Sequence, residues 1–158
     1  MRRLLLLVWL FAVVVATSPN FAWGQADPRI GIWKLNVARS KYVPGPPPSR
    51  ETRAYEIQGR AMTVSIESAD SHGHKVELRY TASDDGKDSP VTGLAFADSI
   101  AVKRVDTYTF DMDTKKSGKV IGTSRAQFSH DGKVLTLTSS TTGADGKPVH
   151  NVAVYDKQ

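Results

Sequence analysis

Cysteine is absent from the 158-residue sequence. The chain therefore forms no disulfide bonds, performs no thiol chemistry and offers no attachment point for a lipid at a bacterial lipobox. Its stability must come from a packed apolar core.

The sequence also lacks the short motifs that mark common catalytic sites. It has no G-x-S-x-G elbow, no H-E-x-x-H pair and no phosphate-binding loop. His72 and His74 fall in a polar turn without the third ligand that a metal site needs. Asp111 and Asp113 share one face of a predicted strand. We interpret that face as exposed to solvent and not as the site of a catalytic carboxylate pair. We expect a protein that is not an enzyme and holds no metal or cofactor.

No segment carries a concentrated charge of one sign. The 21 basic and 16 acidic residues are interleaved along the chain. Nucleic-acid binding requires clustered Lys and Arg on one surface, so we expect no nucleic-acid partner.

The only long apolar run is Leu4–Ala16, which follows Arg2 and Arg3. It is too short to span a bilayer comfortably and has the length of a secretory signal core. We predict a signal peptide over residues 1–26, cleaved after Gly24 or Ala26, with an uncleaved anchor as the alternative. The mature domain would then be 27–158, exported to the periplasm or the cell exterior, with no membrane partner after cleavage.

The rest of the chain alternates apolar and polar residues in short segments, which is typical of half-buried strands. Glycines in tight turns separate many of these segments, and Gly86, Gly118, Gly132 and Gly146 are each followed by lysine. A proline-rich strap, Pro44–Pro48, interrupts the pattern early, because consecutive prolines cannot donate to a sheet. The predicted strands are approximately Arg29–Val37, Glu51–Gln58, Ala61–Ser68, Lys75–Ala82, Ser89–Ala97, Asp98–Val105, Thr107–Thr114, Val120–Phe128, Val134–Ser139 and Val149–Asp156.

The order of these segments predicts an all-β fold, an antiparallel up-and-down barrel of about 8–10 strands. Closure is favoured over an open sheet because it leaves no unpaired edge. The segment Ile30–Tyr42 would begin the barrel and pair with the last strand to close it. One short helical turn is expected within Ala38–Tyr42, and Ser89–Ala97 is expected to be a short edge strand with a loop.

Gly31-Ile32-Trp33 on the first strand, together with the closing Val152–Lys157, resembles the calycin group of lipocalins and fatty-acid-binding proteins. More narrowly, the chain is similar to small secreted bacterial lipocalin-like proteins of uncharacterised function. The resemblance implies that Trp33 packs beneath an arginine from a late strand, for which Arg125 is the candidate and Arg104 the alternative. The helical lid of fatty-acid-binding proteins has no counterpart in the proline-rich interval Ala38–Arg50.

The resemblance also implies an interior that either is filled by side chains or holds one small ligand. The candidate interior residues are Arg53, Tyr55, Met62, Val64, Tyr80, Arg104, Tyr108 and Phe110. Gly31, Trp33 and Arg125 are candidates for barrel closure. We expect a carrier of a small, mostly apolar ligand, with Arg53 or Arg104 as a polar anchor. The alternative is a structural or protein-interaction module with a solid core and function on its loops; oligomeric state stays open.

Overall fold

A computed structural model describes residues 27–143 and 146–158, and the predicted signal peptide over residues 1–26 lies outside the described residues. Eleven strands and one 3₁₀ turn, Val37–Arg39, make up the regular structure of the described chain. The strands are β1 (Gly31–Leu35), β2 (Lys41–Val43), β3 (Arg50–Gln58), β4 (Ala61–Ala69), β5 (Lys75–Ala82), β6 (Asp85–Thr92), β7 (Ser99–Arg104), β8 (Thr109–Lys116), β9 (Lys119–Phe128), β10 (Val134–Thr142) and β11 (Pro148–Lys157).

All strands belong to one antiparallel sheet that closes on itself. From β3 to β11 each strand pairs with the next, and β1 pairs with both β3 and β11, which gives a ring of ten strands. Trp33 lies opposite Lys157 and Leu35 opposite Tyr155 in the closing pair. The short β2 adds to β11 beyond the end of β1. The prediction of an all-β, up-and-down barrel is confirmed.

The alternation of the sequence explains which side chains fill the barrel. Met62, Val64 and Ile66 on β4 are buried, while Glu67 on the opposite face is exposed. Successive side chains of a strand point to opposite faces, so one apolar set per strand is sufficient to build the core. Trp33, Tyr155, Phe110, Leu135 and Val64 are the largest fully buried side chains of the described residues.

Three local predictions need correction. The sequence predicts a tight turn at Gly86, but β6 already begins at Asp85 and accommodates Gly86, with φ +79°, in an irregular step of its pairing with β7. β6 is therefore not the short edge strand expected over Ser89–Ala97, because it is paired on both sides. The first strand is interrupted at Asn36, whose side chain accepts a hydrogen bond from the Arg39 amide and caps the 3₁₀ turn.

The barrel has two dissimilar ends. The closed end contains the segment 27–30 ahead of β1, and Arg29 from this segment places its guanidinium 4.1 Å from the centre of the Phe110 ring. The indole Nε1 of Trp33 donates to the Arg29 carbonyl at 2.9 Å, which ties the segment to β1. The opposite end, called the mouth here, carries the proline-rich strap and the loop 93–98. Among the described residues, no helix has the length and apolar character to cross a bilayer.

Candidate functional site

A polar cluster lies inside the barrel on β3 and β11. The Nε of Arg53 donates to Oε1 of Glu51 at 2.7 Å, and the hydroxyl of Tyr155 donates to the same carboxylate oxygen at 2.7 Å. The Glu51 and Arg53 side chains are only 11% and 13% exposed. The Arg53 guanidinium carbon also lies 5.0 Å from the centre of the Tyr155 ring. The buried Glu51 carboxylate and the buried Arg53 guanidinium thus neutralise each other within one hydrogen-bonded cluster.

The local environment keeps Tyr155 and the neighbouring Tyr42 of β2 protonated. Burial raises the pKa of Tyr155 well above its ordinary value, and the neighbouring Glu51 carboxylate raises it further against the opposing charge of Arg53. Burial, with help from Glu51, raises the pKa of Tyr42 to about 12. Near neutral pH the Tyr155 hydroxyl therefore remains a hydrogen-bond donor.

Arg53 retains donors that the described part of the protein does not use. A guanidinium carries five N–H donors, and among the described residues only the Nε of Arg53 makes a hydrogen bond. The remaining donors belong to a side chain that lines an interior cavity of about 120 Å³. The cavity therefore presents a cation with free N–H groups to anything that enters it.

The rest of the cavity wall is mainly apolar. Its other lining residues are Ile66, Leu78, Tyr80, Val91, Leu94, Ile100, Met112, Thr114, Ser124 and Leu137. Leu78 and Leu94 are half-buried, and Leu94 belongs to the mouth loop 93–98. A second void of about 20 Å³ lies nearer the closed end, beside Arg29 and Phe110. This smaller void has room for about one water molecule.

The closed end is held by a separate network of charges. Arg29, only 6% exposed, donates to Asp27 and to Asp84 at 2.7 and 2.6 Å. Arg104 reaches Asp84 at 2.7 Å and Asp27 at 3.4 Å. Burial alone would raise the pKa values of Asp27 and Asp84, but the hydrogen bonds and charges of the two arginines outweigh it and hold both below the ordinary value. This network fixes segment 27–30 over the end of the barrel.

Six of the eight candidate interior residues lie in the barrel interior. Tyr55, Met62, Val64, Tyr80 and Phe110 are buried in the interior. Arg53 and Tyr80 line the cavity of about 120 Å³.

The remaining two candidates lie away from that cavity. Tyr108 is half-buried at the closed end, with its ring 4.3 Å from that of His130. Arg104 also lies at the closed end, 40% exposed and paired with Asp84. The interpretation of Arg104 as a polar anchor in the cavity is therefore wrong, because the register of β7 places it in the charge network of the closed end.

Of the three candidates for barrel closure, Gly31 and Trp33 lie where the sequence predicts, and Arg125 does not. Trp33 is completely buried on β1, and Gly31 with φ +132° lies beside Lys157. The cation above Trp33 is Lys157, with Nζ 5.1 Å from the ring centre. Arg125 is exposed on the outer face of β9 and pairs with Asp111 at 2.7 Å. The expectation that Arg125 covers Trp33 is wrong, because Arg125 alternates with the inward-facing Ala126.

Sequence reasoning missed the partner that defines the polar cluster. The sequence pattern identifies Glu51 only as the start of a strand, yet it has the same strand parity as Arg53 and Tyr55 and therefore points inward with them. The sequence signal for this cluster is an acidic residue two positions before an arginine that is predicted to point inward. Glutamate is almost never buried unless it is paired, which is why the pattern was not apparent without the partner.

The histidine pair remains a surface feature. His74 bonds the Asp70 carboxylate at 2.9 Å, and the pKa of Asp70 falls to about 2 mainly through this bond and the backbone amide of His74. His72 and His74 lie with ring centres 6.1 Å apart. The described residues contain no group of three or more His, Cys, Asp or Glu that could hold a metal ion.

Comparisons with known proteins give similarity to solved structures only. No family model matches the chain, and no curated protein matches its sequence. One similar structure is the zebrafish ileal bile acid-binding protein complexed with cholic acid, at 14% identity and a TM-score of 0.48, covering 83% of this chain and 99% of that one. Another is EF1p2_mFAP2b bound to DFHBI, at 10% identity and a TM-score of 0.46, covering 84% and 96% of the two chains. The strand pairings of this chain define its closed antiparallel barrel independently of these two similarities.

Proposed function

We propose that the protein is a non-catalytic binding protein for a small molecule that has an apolar body and one anionic acceptor group. The observation that carries this proposal is the pair of terminal nitrogens of Arg53, which lack hydrogen bonds among the described residues and belong to a side chain lining an apolar cavity. A carboxylate is the acceptor that best matches the planar fork of a guanidinium. Glu51 holds that fork in place through Nε and leaves the other donors available.

The volume of the cavity limits what can enter. Drug-sized ligands occupy pockets of roughly 300–1,000 Å³, whereas an engineered cavity of about 150 Å³ binds benzene. The 120 Å³ beside Arg53 therefore accepts about six non-hydrogen atoms without movement of the walls. This is the size of a butyrate ion, or of the head of a longer acid whose chain extends past Leu94 to the mouth.

Binding of short-chain acids and their matched alcohols tests the proposal. Trp33 lies opposite Arg53 in the β1–β3 pair, so its fluorescence should report occupancy, and calorimetry gives the affinity independently. We expect butyrate and hexanoate to bind at least about tenfold more tightly than butanol and hexanol, because a charge-assisted hydrogen bond is worth about 1.5–3 kcal/mol.

The matched variants separate the anchor from the fold. Glu51→Gln/Arg53→Met removes both charges together, so neither is left buried alone, and should abolish the preference for the acid. Arg125→Met removes an exposed arginine on the outer face and should leave binding unchanged. Equal affinity for acids and alcohols in the parent protein would contradict the assignment of Arg53.

The small volume of the interior cavity favours a second candidate function. The buried core extends through all the strands of the ring, and the cavity is smaller than those of typical ligand carriers. This supports a solid-core module whose function lies on its loops. The absence of saturable binding by any acid or alcohol in the series would favour this module over the carrier.

The location that accompanies either function is also a proposal. The charged start, the apolar run Leu4–Ala16 and the small residues before Asp27 support export to the periplasm or the cell exterior, after cleavage of the signal peptide. Fractionation of cells that express the full chain, with mass spectrometry of the mature N-terminus, tests this. A cytosolic product that still contains residues 1–26 would contradict it.

A further inference from the structure

One part of the mouth combines exposed apolar side chains with lysines, and we call it the mouth tip: residues 94–96 of the β6–β7 loop together with residues 116–120 of the β8–β9 hairpin. Phe96 is 62% exposed, the highest value among the exposed large apolar side chains, and Val120 is 51% exposed. Lys116 and Lys119 are both exposed and face each other across the hairpin.

The two parts of the mouth tip form one surface. Lys116 Nζ donates to the carbonyl of Ala95 at 3.3 Å, and the Ser117 amide donates to the Asp98 carboxylate at 2.8 Å. The Asp98 amide in turn donates to the carbonyl of Lys115 at 3.0 Å. Asp98, the acid of this loop, is thus engaged with the hairpin backbone, and Phe96 directly follows the residue that Lys116 contacts.

The charge of the whole mouth differs from that of the closed end. Exposed basic residues stand at strand ends around the mouth: Lys41, Arg50, Lys75, Lys116 and Lys119. The described loops of the mouth contribute two acids, Asp70 and Asp98. With strand ends counted as at the mouth, the acids Asp27, Asp84, Asp85, Asp106 and Asp131 of the closed end offset the basic residues Arg29, Arg60, Arg104, Lys133 and Lys157. The mouth is therefore the more basic of the two ends.

We propose that the mouth tip docks on the surface of an anionic lipid bilayer. Aromatic and aliphatic side chains enter the boundary between headgroups and acyl chains, while lysines beside them pair with anionic headgroups. Phe96 is the main inserting residue, and Lys116 and Lys119 supply the electrostatic attraction. Val120 pairs with Lys115 on the other face of the hairpin and lies at the edge of the contact. This proposal differs from the expectation of no membrane partner, and it concerns reversible contact with a surface and not a transmembrane segment.

The mouth tip adjoins the interior cavity, because Leu94 lines that cavity and Phe96 lies two residues further along the same loop. Docking would therefore bring the cavity opening against the bilayer, where amphipathic acids are dissolved. This link rests on the proposed ligand, whereas the docking itself does not. A vesicle assay without added ligand keeps the two proposals distinguishable.

Sedimentation with vesicles tests the proposal on the mature chain, residues 27–158. We expect sedimentation with vesicles of phosphatidylcholine and phosphatidylglycerol, but not with phosphatidylcholine alone, and weaker binding as salt is raised. Phe96→Ser/Lys119→Glu should lower the affinity at least about tenfold. Val105→Ser/Lys133→Glu likewise replaces an exposed apolar residue by serine and a lysine by glutamate, but at the closed end, where Val105 is 52% exposed, and should bind as the parent does.

Three outcomes would overturn the proposal. The first is the absence of binding to the anionic vesicles, and the second is equal binding by the two double variants. The third is a dimer in solution that Phe96→Ser dissociates, because it would assign the mouth tip to contact with a second copy of the chain. Acid binding measured in solution stays unaffected by each of these results.

Discussion

At the scale of single residues, the polar cluster of Glu51, Arg53 and Tyr155 is the least ordinary feature of the barrel. A buried ion pair is costly to desolvate, so a core of the same volume without charges would be at least as stable. The pair is therefore weak evidence for stability and stronger evidence for a task. That task, in our account, is to present the free donors of Arg53 to the cavity.

Removing one member of the pair should cost more than removing both. Arg53→Met leaves the Glu51 carboxylate buried without its cation, and we expect the free energy of unfolding to fall by about 3–5 kcal/mol. Glu51→Gln/Arg53→Met should recover more than half of that loss. Urea denaturation of the two variants and the parent measures both values. A double variant less stable than Arg53→Met would show that the unpaired Glu51 carboxylate is not the source of the loss.

Acid stability should depend on the closed-end carboxylates. The pKa of Asp84 in the folded state lies below its ordinary 3.8, so its stabilising contribution is present above pH 3.8 and is lost as the pH falls through the lower folded value. We expect Asp84→Asn to be less stable than the parent at neutral pH and to lose less on acidification. Denaturation at a series of pH values measures this.

The control for the acid experiment is Glu56→Gln, which changes an exposed carboxylate on β3. It should follow the acid dependence of the parent protein. An Asp84→Asn variant with the same pH profile as the parent would show that Asp84 is not held by Arg29 and Arg104 in solution.

Some side-chain positions could be predicted from the sequence and others could not. Strict alternation was sufficient to place Tyr55, Val64 and Phe110 inward, because the side-chain period of a strand is two. The same alternation places Arg125 on the outer face, because its neighbour Ala126 points inward. The family resemblance instead suggested that Arg125 covers Trp33, which is wrong. Lys157 above Trp33 was not predictable, because it depends on the register of β1 against β11 and not on either strand alone.

At the scale of elements, the loop 93–98 is fixed to the barrel by a close approach of two backbones. A Cβ atom built on Gly93 would lie 1.8 Å from the carbonyl oxygen of Glu77, and the residue has φ +90°. No side chain fits there without displacement of the loop from β5. Gly93 thus permits the close approach that, with the hydrogen bonds to the β8–β9 hairpin, positions the loop that carries Leu94 and Phe96.

Two glycine substitutions should differ accordingly. Gly118→Ala places a methyl group in open space at φ +77°, so we expect it to cost only about 1 kcal/mol for the backbone conformation. Gly93→Ala should cost clearly more and should weaken binding of butyrate, since Leu94 moves with the loop. Urea denaturation and calorimetry on both variants give the comparison. Equal losses of stability would contradict the close approach to Glu77.

The elements themselves show where sequence patterns are informative. Most strand segments were identified because alternation and glycine turns agree over residues 51–82 and 107–139. Strand β11 pairs with two separate segments of the chain, with β1 near its C-terminal end and with β2 nearer its N-terminal end. The break at Asn36 and the separate β2 arise from this pairing and could not be foreseen from the sequence. At Gly86, where β6 has an irregular step, the sequence predicts a turn because Asp-Gly usually marks one.

At the scale of the whole molecule, closure of the sheet connects all these features. The pairing of β1 with β11 brings Lys157 to Trp33 and Tyr155 to Glu51, across more than one hundred residues of sequence. The closed end is sealed by charges and by Arg29, while the mouth is basic and carries exposed apolar side chains. A barrel with one sealed end and one accessible end suits entry of a ligand from the mouth towards Arg53.

The most direct test of this account is nuclear magnetic resonance of the Arg53 guanidinium during titration with butyrate. The resonances are assigned by their loss in Glu51→Gln/Arg53→Met, and butanol serves as the neutral comparison. The account predicts that butyrate shifts the Arg53 side-chain N–H signals saturably and leaves those of Arg125 unchanged. Butyrate-induced shifts confined to surface arginines, with the Arg53 signals unmoved at saturation, would contradict it.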